Sequence, residues 1–172
     1  SAGQTCQHSY AVGVGAGAGQ VNQKAEAVAI GHYAGYQCQF SSAIAIGGGA
    51  GISFQKPNAI AIGSGTGQIC QGQCSVAIGR SAAVYNQAIS AIAIGANAGY
   101  TGQGGYIGYA VAIGAYAGYS GQAGYGIAIG GYSGYLNQGC YAVAIGDNAG
   151  TSNQHGIAVG SYAGQYCQSY RS

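Results

Sequence analysis

An all-β, single-domain parallel β-solenoid of about ten 16-residue coils is the fold this sequence predicts, and three observations predict it. A glutamine recurs at one position of a repeat, as Gln7, Gln23, Gln39, Gln55, Gln71, Gln87, Gln103, Gln122, Gln138, Gln154 and Gln168. From Gln23 onward each lies eight residues after a Gly that closes a tetrapeptide of the Val-Ala-Ile-Gly type, running from Gly15 and Gly31 to Gly146 and Gly160. A second Gly follows the first by four residues in every unit but one, where Ala83 replaces it. So short and regular a period marks one supersecondary unit stacked on copies of itself. Residues 1–7 are read as an N-terminal cap, 8–168 as ten coils and 169–172 as a C-terminal tail.

The tetrapeptide comes first in the unit. Val or Ile alternates with Ala in Ala27-Val28-Ala29-Ile30 and Ala91-Ile92-Ala93-Ile94, the period of a strand and not of a helix. Burying a Val or Ile is worth roughly 1.5 to 3 kcal/mol, so the aliphatics are expected to point into the coil and the alanines outward. The opposite arrangement would leave two aliphatic ridges exposed, tolerable only against another chain. The two Gly positions supply the bends at which the coil turns. Between them and the Gln, segments such as His32-Tyr33-Ala34 and Tyr36-Gln37-Cys38 are too short for a second long alternating strand.

The Gln column reads as a structural ladder comprising Gln23, Gln39, Gln55, Gln71, Gln87, Gln103, Gln122, Gln138, Gln154 and Gln168, each amide stacking on the next and holding backbone at a corner. The connector after the Gln completes the unit. The step from Gly95 to Gly114 is 19 and that from Gly146 to Gly160 is 14, and both departures fall in this connector, which therefore reads as a surface loop.

Composition excludes several functions. With 3% charged residues and a net charge of +2, the chain lacks the clustered Lys and Arg that bind phosphates, so no nucleic-acid partner is expected. Gly or Gln interrupts every apolar run before the ~18 residues of a membrane helix, so no membrane partner is expected either. Six cysteines, no Met and a start at Ser1 suit a secreted, extracellular product from which a signal peptide has been removed.

Chemistry-bearing residues are sparse. Glu26 and Asp147 lie about seven coils apart and cannot act as an acid/base pair, and His8, His32 and His155 are dispersed; no enzyme activity, cofactor or metal is expected. Cys6, Cys38 and Cys70 are two coils apart, ~9.5 Å, beyond the ~7 Å reach of a disulfide. Cys70 and Cys74 flank one corner and are the expected disulfide, with Cys6, Cys38, Cys140 and Cys167 left over. Twelve of the 16 tyrosines fall in three columns: Tyr10, Tyr109, Tyr125 and Tyr141 before the strand; Tyr33, Tyr116, Tyr132 and Tyr162 after its Gly; Tyr36, Tyr100, Tyr119 and Tyr135 after the second Gly. Ring stacking accounts for such columns structurally.

This short repeat with a neutral Gly/Ala/Ser/Gln surface resembles the hyperactive β-solenoid antifreeze proteins of arthropods. That resemblance implies an ice crystal surface as partner and a flat two-rank array as the binding face. Where those proteins often carry Thr-x-Thr, this chain carries Ala-x-Ala, so the implied ice-binding residues are Ala27, Ala29, Ala43, Ala45, Ala59, Ala61, Ala77, Ala91, Ala93, Ala110, Ala112, Ala128, Ala142, Ala144 and Ala158. A monomer is expected on this reading. The Val-Ala-Ile-Gly tetrapeptide also resembles the head repeats of trimeric autotransporter adhesins and repeats of viral fibre proteins. This second resemblance implies an extracellular structural or adhesive fibre protein that self-associates or trimerises, although the chain has no heptads for a stalk.

Overall fold

The computed structural model describes residues 2–166, and among them there are strands, turns and bends but no helix. Ten strands of three residues, from Val12–Val14 to Ile157–Val159, form one parallel sheet in chain order, enclosing about nine turns. Equivalent residues pair without slippage: Val28 opposes Ile44, Ala29 opposes Ala45 and Ile30 opposes Ile46. The register survives both length exceptions, since Ile92 still faces Val111 across the 19-residue step and Val143 faces Ile157 across the 14-residue one. The extra residues bulge out of the connector, where Tyr106 is fully exposed.

The opposite wall does form a sheet, of four strands: Gln37–Gln39, Ser53–Gln55, Ile69–Gln71 and Tyr85–Gln87. Single bridges extend it toward both ends, from Thr5 to Val21 and from Tyr85 through Thr101, Ser120, Leu136 and Ser152 to Tyr166. Three residues suffice for each rung because the neighbour above and below supplies the partners for its N–H and C=O groups, as in Val28 N to Ala43 O, 2.9 Å, and Gly31 N to Val14 O, 2.8 Å.

A coil this short closes by repeated left-handed backbone. In one unit Glu26, Gly31, Tyr33, Gly35 and Cys38 all have positive φ (62°, 128°, 54°, 53° and 52°). Gly is indispensable at the first corner: a Cβ on Gly31 would stand 2.7 Å from the Gly47 carbonyl carbon and oxygen of the next coil. The three non-Gly positions are filled in other coils largely by Asn, Ser, Tyr and Cys, among them Asn22, Asn58, Asn86, Asn97, Asn137, Asn148 and Asn153. Asn tolerates this region better than most residues, so the Asn distribution carried the signal for these corners.

The orientation of the strand overturns the expectation from burial energy. Alanine points inward and Val/Ile outward. Ala29, Ala45, Ala61, Ala77, Ala93, Ala112, Ala128 and Ala144 are all fully buried, whereas Ile30, Ile94 and Ile145 are more than a third exposed. The cause is the width of the coil. A Cβ placed on Gly35 would lie 3.2 Å from the Ala29 methyl and 2.6 Å from Gln39 Oε1, so the opposite wall is already in contact with an alanine. No Ile fits in that gap. A core of Ala and Gly loses no side-chain rotamer entropy, but it buries few methylenes at ~0.8 kcal/mol each, so stability falls to the ladders of hydrogen bonds.

Candidate functional site

Gln fills the interior where alanine cannot reach. Gln39 is completely buried, and its Nε2 donates to Val28 O at 2.7 Å, to Ala43 O at 3.0 Å and to Gln55 Oε1 at 3.1 Å. Two of these acceptors belong to the strand wall, so the amide spans the coil and ties one wall to the other. Every described Gln from Gln23 to Gln154 donates to the strand carbonyl eleven residues before it, including Gln103 to Ile92 and Gln122 to Val111 on either side of the 19-residue step. Side-chain-to-side-chain rungs join Gln23 to Gln39, Gln39 to Gln55, Gln87 to Gln103 and Gln138 to Gln154. Between those segments the ladder is interrupted, and Gln71, Gln87, Gln122 and Gln138 keep a buried Oε1 without a donor. The column is thus a brace first and a stack second, and it contributes nothing to the surface. Gln168 lies outside the described residues.

The alanines assigned to ice contact are corrected by the same geometry. Ala27, Ala29, Ala43, Ala45, Ala59, Ala61, Ala77, Ala91, Ala93, Ala110, Ala112, Ala128, Ala142, Ala144 and Ala158 are at most 2% exposed and cannot touch a crystal face. What the strand wall presents instead is two ranks of β-branched residues. The first runs Val12, Val28, Ile44, Ile60, Val76, Ile92, Val111, Ile127, Val143 and Ile157; the second runs Val14, Ile30, Ile46, Ile62, Ile78, Ile94, Ile113, Ile129, Ile145 and Val159. Rungs stand ~4.7 to 4.9 Å apart and the two ranks ~6.6 Å, so the wall is a flat aliphatic lattice of ~300 Å² in plan.

In the C-terminal half this wall is bordered by aromatic columns. Tyr109, Tyr125 and Tyr141 stack at the edge before the strand, with centroids 5.2 and 5.0 Å apart and planes within 8°. On the far edge Tyr116 stacks on Tyr132 at 4.9 Å, beside the column Tyr100, Tyr119 and Tyr135 at 5.0 Å spacing. Column membership was legible in the sequence; that two columns merge into one patch, with Tyr116 and Tyr119 5.7 Å apart, depended on the corner between them.

The cysteine expectation is corrected too. Cys6, Cys38, Cys70, Cys74 and Cys140 are free thiols. Cys70 and Cys74 both occupy left-handed corners, with φ of 57° and 55°, and both face solvent, while Gln71 between them turns into the core. The corner separates the two side chains instead of bringing them together. Cys167 lies outside the described residues.

Elsewhere the surface offers little chemistry. An open groove of about 540 Å³ lies beside the 19-residue coil, lined by Cys70, Asn86, Gly105 and Tyr106 among others. It gathers no group of three or more His, Cys, Asp or Glu side chains, and none occurs among the described residues. Glu26 accepts a hydrogen bond from Ser42 at 3.0 Å, and Asp147 accepts one from Asn148 at 2.8 Å, both at exposed corners.

No family model, curated protein or solved structure matches this chain. The repeat's own geometry must therefore carry the functional reading.

Proposed function

We propose that this chain is an extracellular structural module of a fibre or adhesive assembly, associating with further copies of itself through the Val/Ile wall. The observation that carries the reading is the outward orientation of all twenty aliphatic side chains in register along one face. An unbroken exposed apolar strip of ~300 Å² in plan, running the length of the rod, is the kind of surface patch that marks an interaction site. A second copy suits it for three reasons. The ranks repeat with the same period in every copy, so side chains of one rod seat between the rungs of another laid parallel to it. With 3% charged residues there is little like-charge repulsion between rods. Tyrosine columns at the edges supply the amphipathic border common at protein interfaces.

Sedimentation equilibrium tests the proposal. Discrete dimers or trimers are expected, and Ile94→Lys combined with Ile62→Lys is expected to shift them to monomer while the β-rich circular dichroism spectrum is retained. A monomer at every concentration would overturn the reading. A second reading rests on the flatness and regular spacing of the same wall: adsorption to ice through the aliphatic ranks, with the alanines having no part in it. A monomer that shapes ice crystals and produces thermal hysteresis, both lost in the same double variant, would select this alternative.

A further inference from the structure

We propose that the stacked tyrosine columns are a site of oxidative modification, at which neighbouring coils become joined by carbon–carbon bonds between phenol rings. Five pairs have the required geometry: Tyr109–Tyr125, Tyr125–Tyr141, Tyr116–Tyr132, Tyr100–Tyr119 and Tyr119–Tyr135, with centroids 4.9 to 5.2 Å apart and planes within 4° to 17°. The rings are partly exposed, with Tyr109, Tyr125 and Tyr132 at 48%, 40% and 43%, so a diffusible oxidant reaches their edges.

The co-reactant is a one-electron oxidant of phenols, such as a haem peroxidase supplies from hydrogen peroxide. Each of two stacked tyrosines gives up one electron and its hydroxyl proton, leaving a radical with spin on the ring carbons ortho to oxygen. Two such carbons form a bond as the rings approach face to face. Each ring then moves the hydrogen displaced at that carbon to its oxygen and regains aromaticity. The sum is one new C–C bond, two electrons and two protons, which reduce one peroxide to two waters.

Parallel rings are already in the approach geometry for that first bond. Because the backbone ladders hold the columns at ~4.7 to 4.9 Å per coil, coupling within a column has the high effective concentration of an intramolecular reaction. Tyr33 and Tyr36 differ, meeting edge-on at 86°, and Tyr106 projects fully exposed with no ring stacked on it among the described residues. A linked pair spans adjacent coils and so staples the rod in the half that carries the columns, a role the free cysteines do not fill.

The test is to treat the purified full chain with a plant haem peroxidase and limiting peroxide over a range of protein concentrations. Dityrosine fluorescence, intact mass and thermolysin peptide mapping are then followed. The expected result is a loss of two hydrogens per link on the single chain, a yield independent of protein concentration, and links mapped to the five stacked pairs. Tyr119→Phe with Tyr125→Phe keeps the ring stacks but removes a hydroxyl from four of the five pairs, and should cut intrachain linkage at least threefold, leaving Tyr116–Tyr132. Absence of dityrosine, or links that map to Tyr106 and Tyr10 and rise with concentration, would overturn the proposal. Self-association through the Val/Ile wall can fail without affecting this result, because the mapped links lie within one chain.

Discussion

Replacing Gln39 by Leu asks how much one interior amide contributes, because the volume is nearly conserved and only the hydrogen bonds are lost. Gln39 Nε2 serves three acceptors, Val28 O, Ala43 O and Gln55 Oε1, and its own Oε1 accepts from Gln23. Leaving a buried polar group without its partner costs about 1 to 3 kcal/mol. Backbone carbonyls keep a second lone pair for the sheet, so the lower end applies, and the amide's two hydrogens, shared among the three acceptors, amount to about 2 kcal/mol. For a chain of this size that corresponds to a fall in Tm of about 4 to 8 °C. Gln71→Leu is the internal comparison. Gln71 makes one donation, to Ile60 O at 2.6 Å, and has a buried Oε1 without a donor that Leu would remove, so its loss should cost about 1 kcal/mol. The exposed Gln37→Leu should change stability by no more than about 0.5 kcal/mol. Thermal unfolding followed by circular dichroism ranks the three. Equal midpoints for Gln39→Leu and Gln37→Leu would refute the view that the amide braces one wall of the coil against the other.

Two further outcomes follow from the same geometry. Gly63→Ala places a methyl 2.7 Å from the Gly79 carbonyl oxygen at a φ of 129°, and should destabilise by more than about 2 kcal/mol, whereas Gly48→Ala meets nothing within 4 Å and should be neutral in the same melt. For the thiols, titration of the native protein with an aromatic disulfide reagent should find Cys70 and Cys74 both reactive, and the double variant Cys70→Ser, Cys74→Ser should melt within about 2 °C of the parent; a loss of several degrees would point to a bond between them.

Period, strand position, Gln column and loop exceptions were legible because each is a statement about sequence distance, and a solenoid turns sequence distance directly into height along the rod. The second wall was less legible, since Gln37-Cys38-Gln39 has no alternation of its own and becomes a strand only when Ser53-Phe54-Gln55 is stacked beside it. The Cys70–Cys74 expectation failed where spacing says nothing about direction: five residues can double back or turn outward, and here left-handed backbone at both cysteines turns them outward.

By itself the sequence determined that 16 residues make one turn, that the turns are parallel and in register, and that Ala, Val/Ile, Tyr and Gln each form a column. Which column faces in was decided only by the tertiary structure. Transfer energy favours burying isoleucine, but that preference applies only where the cavity has room for it. Left-handed residues at the corners, five of them in the unit from Glu26 to Cys38, draw the walls together until a methyl added to Gly35 would stand 3.2 Å from that of Ala29, and that spacing admits a methyl group on one wall and excludes a branched side chain. The wall expected to be a lattice of alanines is therefore a lattice of valines and isoleucines.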